Sequence, residues 1–199
     1  MEGHRDKLEA SIRVAWEAGD FAGATTAALR GYGPEVLGFL VAMQHDHGRA
    51  EEAFSLFAER LWKGMNRFEW KSSVRTWSYV LARNAAADVH RREARHQRSR
   101  VEMSSTPISE VAAKVRTETI SVLRTEKRSA FTRLREELPE EDRALLVLRV
   151  DRDLAWRDIA KILGTEDDEA GDREAARLRK RFQVVKERLH ALGKARGLI

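Results

Sequence analysis

Apolar residues recur along this chain every three to four positions, the period of helices that bury one side. Leu8, Ile12, Ala15 and Trp16 predict a first helix closed by Gly19, and Asp20 is placed to cap a second running toward Arg30. Pro34 is expected to open a further helix carrying Val36, Leu37, Leu40, Val41 and Met43, and Phe54, Phe57, Leu61 and Trp62 line the next. Trp77, Val80, Leu81, Ala85 and Val89 give one buried side of another helix. Ser99 to Pro107 is polar and Ser/Thr/Pro-bearing, with nothing from which to build a core. Ile108, Val111 and Val115 then form a weak helical stripe without an evident partner. Beyond Thr125 come a stripe of Phe131, Leu134 and Leu138, the run Leu145, Leu146, Leu148 and Val150 after Pro139, and a third group of Ile159, Ile162 and Leu163. A last helix is expected from about Arg173 to Leu192. Alternating β-branched runs between turn residues are missing, which argues against strands. The pattern predicts an all-α chain of two small helical domains, residues 1–98 and 125–199, joined by a flexible linker over residues 99–124.

Charge sharpens this picture. The 199 residues carry 37 Lys and Arg against 32 Asp and Glu, a net charge of +5 that favours a polyanionic partner without proving one. Distribution says more than the total. Arg91, Arg92, Arg95, Arg98 and Arg100 form one cluster and Arg177, Arg179, Lys180 and Arg181 a second, while Glu166 to Asp172 is strongly acidic. Cysteine is absent, which excludes disulfides and thiolate metal sites. No apolar run behind the first residues resembles a signal peptide, and none approaches bilayer length, so a soluble cytoplasmic protein away from membranes is expected.

Catalytic chemistry finds little support. His45-Asp46-His47 is the one cluster that resembles a metal site, but it lacks a third ligand and falls at a helix break bounded by Gly48, where polar residues are expected anyway. There is no phosphate-cradling glycine loop, nucleophile elbow or paired-carboxylate signature. No enzyme, metal or cofactor is expected.

The segment from Trp77 to Arg92 is the most informative. Arg83, Asn84, Asp88, Arg91 and Arg92 crowd polar and cationic groups onto the surface opposite its apolar side. Aromatic rings entering a helix that ends in arginines can stack on unpaired bases while holding phosphates. An ordinary amphipathic helix with a solvated basic end would give the same periodicity. Further along, Leu154 to Gly164 reads as the first helix of a helix-turn-helix, with Ala160 small at the crossing and Gly164 able to end the helix in a left-handed conformation. The basic helix after it would enter the major groove.

Trp77 and Tyr79 followed by Leu81-Ala82-Arg83-Asn84, then Asp88 and Arg91-Arg92, resemble the promoter-melting and −10-reading segment of bacterial extracytoplasmic-function (ECF) sigma factors, of the sigma-70 family. Leu138 to Arg149 resembles the helix before their −35-reading helix-turn-helix, and Lys186-Glu187-Arg188-Leu189 the end of their recognition helix. The resemblance runs from about Gly31 to Leu192. It implies a sigma factor that binds core RNA polymerase and directs promoter-specific initiation. Glu51, Glu52, Phe54, Phe57, Leu61 and Trp62 would then hold polymerase. Trp70, Arg75, Trp77, Tyr79, Arg83, Asn84, Asp88, Arg91 and Arg92 would contact −10 DNA, and Arg177, Arg179, Lys180, Arg181 and Lys186 −35 DNA. An inhibitory anti-sigma partner is a further expectation of the resemblance.

Three departures stand out. Thr165 to Asp172 intervenes after Gly164, so either the turn is enlarged or the next helix is extended, with Asp172 a candidate cap for entry at Arg173. Glu51 to Phe57 keeps acids and aromatics but lacks the family's glutamine. Ala155 stands where a Ser or Thr commonly caps, which predicts a weak cap. Alternatives are a helix-turn-helix regulator that acts without polymerase, and a helical adaptor that binds only protein.

Overall fold

The computed structural model describes residues 2–44, 46–94, 107–125, 130–164 and 168–198, and every regular element among them is helical. Helix α1 (Glu2–Glu17) ends at Gly19, which takes the positive φ expected of it. The Asp20 carboxylate then caps α2 (Phe21–Gln44) by accepting from the Gly23 amide at 2.8 Å. α2 runs through Pro34 instead of starting again there. Proline removes one amide donor and crowds the carbonyl four residues back. That cost is outweighed here because Ala28, Leu29, Tyr32, Val36, Leu37, Phe39 and Leu40 bury α2 on nearly every side.

Asp46 caps α3 (His47–Gly64), accepting from the Arg49 amide at 2.7 Å, so Gly48 lies inside the first turn and the break falls before it. His45 lies outside the described residues. A 3-10 turn (Met65–Arg67) and a loop lead into α4 (Val74–Ala94), which packs along α3 and crosses α2. Phe39, Phe54, Phe57, Leu61, Met65 and Tyr79 are fully buried between these helices, with the Phe39 and Tyr79 rings edge-on at 5.3 Å.

Residues 107–124, read as linker from the sequence, form the greater part of α5 (Pro107–Thr125). The stripe without an evident partner has one: Ile108, Ala112, Val115 and Ile120 are buried, and the helix packs on α2 and α3.

The second lobe comprises α6 (Ala130–Glu136), α7 (Glu140–Leu146) prolonged by a π-helical turn (Val147–Asp151), α8 (Trp156–Leu163) and α9 (Asp168–Ala195). Ala155 makes no side-chain cap at α8, as its side chain dictates. Gly164 ends α8 but is not left-handed, at φ −137° and ψ −77°; its missing Cβ would stand 3.1 Å from the Glu174 side chain of α9, so close approach is what calls for glycine there. Of the intervening acidic stretch, Asp168 to Asp172 belongs to the helix, since α9 begins at Asp168. Asp172 therefore lies one turn inside α9 and does not cap it; both its oxygens accept from Arg157 of α8 at 2.7 Å. Glu166 and Asp167 lie outside the described residues. The lobes are not separate bodies. Leu145, Val147, Leu148, Leu154 and Ile159 join the residues of α2 to α5 in one continuous core.

Candidate nucleic-acid interface

The entrance of α4 is bolted in place from a distance. The first amides of a helix have no partner within it and must find one elsewhere. Val74 and Arg75 each donate at 3.0 Å to a different oxygen of Glu9 on α1, Thr76 donates to the Ser73 hydroxyl at 3.0 Å, and Trp77 to the Ser73 carbonyl at 3.0 Å. The Tyr32 hydroxyl also donates to Glu9, at 2.8 Å. Burial, reinforced by that carboxylate, drives the Tyr32 pKa far above its ordinary value, so it stays a donor. Glu9 lies sixty-odd residues before the amides it caps, so periodicity gives no sign of it; an acid on an otherwise half-exposed helix looks like solvated surface. Glu9→Ala is expected to cost about 1–2 kcal/mol of stability, the range of a lost helix cap, and to raise amide exchange at Val74 and Arg75 above that at Phe57.

Trp70, in the loop before α4, has φ of 56°, in the left-handed region that a bulky side chain avoids. Its ring is clamped edge-on by Trp16 at 5.8 Å and Phe68 at 5.0 Å, and the Arg13 guanidinium lies over it at 5.0 Å. Trp16 is itself fixed by its indole donating to the Met65 carbonyl at 2.7 Å. Trp77 stacks on Phe68 at 4.6 Å. A half-exposed aromatic shelf, held in a strained backbone, thus sits beside the start of α4. Strain of this kind persists only where its surroundings enforce it, and it concentrates at binding sites.

The expected contact residues separate into groups. Arg75 is buried; it grips Glu35 through Nε at 2.7 Å and Nη2 at 3.0 Å. Burial would lower its pKa, but the Glu35 carboxylate outweighs that and holds it raised. Tyr79 is fully buried, its hydroxyl pushed up mainly by desolvation. Asn84 and Arg91 are exposed, with Arg83 and Arg92 half-buried on the same stretch. Asp88 faces α3 and accepts from both Arg60 and Arg91. Burial would raise its pKa, yet the two guanidiniums hold it below the ordinary range. A depressed carboxyl contributes stability above its unfolded value of about 3.9 and loses it as pH falls through the folded value. Asp88→Asn should therefore cost about 1 kcal/mol at neutral pH and flatten the acid limb of a stability–pH curve, an effect read by urea unfolding between pH 3 and 7.

On α3, Phe54, Phe57 and Leu61 are fully buried, and Glu51, Glu52 and Trp62 are half-buried. The structure thus puts Phe54, Phe57 and Leu61 of the expected polymerase set inside the lobe and leaves Glu51, Glu52 and Trp62 partly at the surface. On α9, Arg181 ties the helix to α7 through Asp142 and Glu141, both at 2.6 Å, and Arg177 pairs with Glu174 one turn earlier. Arg179 lies over the Trp156 ring at 5.9 Å and Lys186 over Phe182 at 5.3 Å. Arg173, Arg177, Lys180 and Arg188 are exposed and follow one stripe along this helix, which is about 42 Å long. Among the described residues no group of His, Cys, Asp and Glu could hold a metal, and no helix is long and apolar enough to cross a membrane.

Residues 28–96, from the middle of α2 through α4, match the family model of sigma-70 region 2. This third of the chain is similar to a sigma-70 region 2. That domain belongs to sigma-70 family transcription initiation factors, which bind RNA polymerase and recognise promoters and are not enzymes. The match holds α3, the strained Trp70 loop, the exposed Arg91 and the half-buried Arg83 and Arg92 of α4; α1, with its Glu9 cap, and everything from α5 onward lie outside it. Comparison with curated proteins finds no match to the chain.

Proposed function

We propose that the chain is an ECF-type sigma factor. Its region 2 docks on core polymerase through the α3 face around Glu51 and Glu52, and it melts and reads the −10 element with the Trp70 loop and the exposed part of α4. The second lobe reads the −35 element as a helix-turn-helix in which α8 supports and α9 enters the major groove through Arg177, Lys180 and their neighbours. What carries the reading is order along one chain: a stretch that matches region 2 is followed by a short helix, α8, and then by a long helix, α9, with a cationic stripe. Phosphate contacts tether, and a few side chains and unpaired bases specify. Such a protein acts where the polymerase is, in the cytoplasm, and an anti-sigma partner would compete for the same surfaces. The test is transcription from a candidate promoter by purified core polymerase lacking other sigma factors. Initiation that depends on this chain is expected; failure to capture core polymerase in a pull-down would remove the reading.

A further inference from the structure

Helix α9 turns one side to its own lobe. Ala175, Leu178 and Val185 are buried, with Phe182 and Leu189 packed beside them. Its flanks are engaged within the lobe as well: Arg181 is tied to Asp142 and Glu141 of α7, Arg179 lies over the Trp156 ring, and Lys186 lies over the ring of Phe182. With about 3.6 residues per turn, the side opposite Phe182 carries Arg177, Lys180, Val184 and Arg188. All four are exposed, Val184 at 62%.

Neither ordinary account of such a helix calls for that valine. A solvated helix side is polar, and one that only holds phosphates needs cations, which are indifferent to base sequence. Valine is also a poorer helix former than the lysine, arginine and glutamine around it. What distinguishes Val184 from exposed valines elsewhere, such as Val14 and Val122, is its place midway between Lys180 and Arg188. Those cations stand about 12 Å apart along the helix axis, close to the width of the major groove of B-form DNA, about 12 Å. At that separation they can reach phosphates at the rims while the residue between them faces base edges. Hydrogen-bonding groups line that groove at every base pair, and thymine alone adds an apolar group, its C5 methyl. A polar base edge set against Val184 would lose water and gain no hydrogen bond.

We propose that Val184 is a specificity-determining residue: it meets the C5 methyl of a thymine and so selects a T·A pair within the duplex element that α9 reads. The inference rests on the sigma-factor reading, in which α9 enters the major groove. To test it, duplexes bound by the chain in complex with core polymerase are selected from a random pool. Thymines of the selected duplex are then replaced one at a time by deoxyuridine, which removes the methyl and keeps every hydrogen-bonding group. One such replacement is expected to weaken wild-type binding about fourfold, the factor that goes with one buried methyl-sized group. In Val184→Ala the same replacement should have no effect, and in Val184→Ile the sensitivity should remain. Val184 lies outside the core, so both variants should keep the salt dependence of wild type, which reports phosphate contacts. The proposal is overturned if wild type responds at no thymine, or if every response persists in Val184→Ala. Loss of polymerase capture in Val184→Ala with base discrimination unchanged would assign the side chain to a protein contact and equally overturn it. If the wild-type complex selects no sequence at all, the sigma-factor reading fails and takes the role of Val184 with it. A selected sequence without a methyl effect that depends on Val184 leaves that reading standing and removes this inference alone.

Discussion

Phe57→Ala is expected to destabilise the chain by about 3–5 kcal/mol, the range for emptying a buried aromatic site, with polymerase binding lost only as the fold is lost. Phe57 is fully buried, with the Phe54 ring 5.5 Å away. Its truncation leaves a cavity in the packed core that the surrounding helices cannot close without moving. Urea unfolding gives the stability, and polymerase capture at a denaturant-free temperature well below the variant's midpoint gives the affinity. Stability within 1 kcal/mol of wild type combined with a large loss of capture would place Phe57 at a surface after all. Glu51→Ala with Glu52→Ala should do the reverse, leaving stability nearly intact while weakening capture.

The second large effect is expected at Arg143. Its guanidinium is buried, donating to the carbonyls of Leu138 at 2.6 Å, Glu136 at 3.3 Å and Met43 at 2.8 Å. Desolvation lowers its pKa, yet the cation is held by three carbonyl oxygens, one of them at the C-terminal end of α2, where the helix dipole favours positive charge. Arg143→Met keeps much of the volume but leaves these acceptors without a donor, at a cost of about 2–4 kcal/mol. Differential scanning calorimetry should show a single transition moved down, because one side chain serves both lobes. A transition that splits, leaving the first lobe at its original midpoint, would show that the Met43 contact contributes little.

Much of this architecture was legible as periodicity. The apolar stripes of α3 and α8 fall where spacing puts them, and Asp20, Gly19 and Ala155 behave as their chemistry dictates, whereas α4 buries Tyr79, Ala82, Ala85, Ala86 and Val89 and leaves Trp77, Val80 and Leu81 of the expected stripe half-buried. What misled was local. Pro34 reads as a start because proline breaks isolated helices; it is carried through because α2 is enclosed by its neighbours, which no window of sequence contains. Asp172 reads as a cap because acids cap helices, but Arg157, fifteen residues earlier, takes both its oxygens. The candidate site shows the same division. Asn84, Arg91 and the α9 stripe are exposed as charge patterning suggests, whereas Arg75, Asp88 and Arg181 are cations and anions used to join helices. A sequence marks charge plainly; it does not say whether the partner is solvent, phosphate or another helix. Glu9 and Gly38 were invisible for the complementary reason, since each matters only through a residue far along the chain. A Cβ at Gly38 would stand 2.9 Å from the Arg152 guanidinium.

The reliance of α2 on elements that follow it has a consequence in time. A ribosome adds about 5–20 residues per second, so roughly 5–20 s separate the emergence of α4 from that of α9. In the first part of that interval, before α5 and Arg152 are made, the nascent chain holds a completed α2–α4 segment in which Gly38 faces nothing and Gly33 faces only Phe54. Newly synthesised molecules therefore pass through an uncovered form that finished molecules leave behind. The age of a molecule, and not only its concentration, sets how much of this face it offers to the cell.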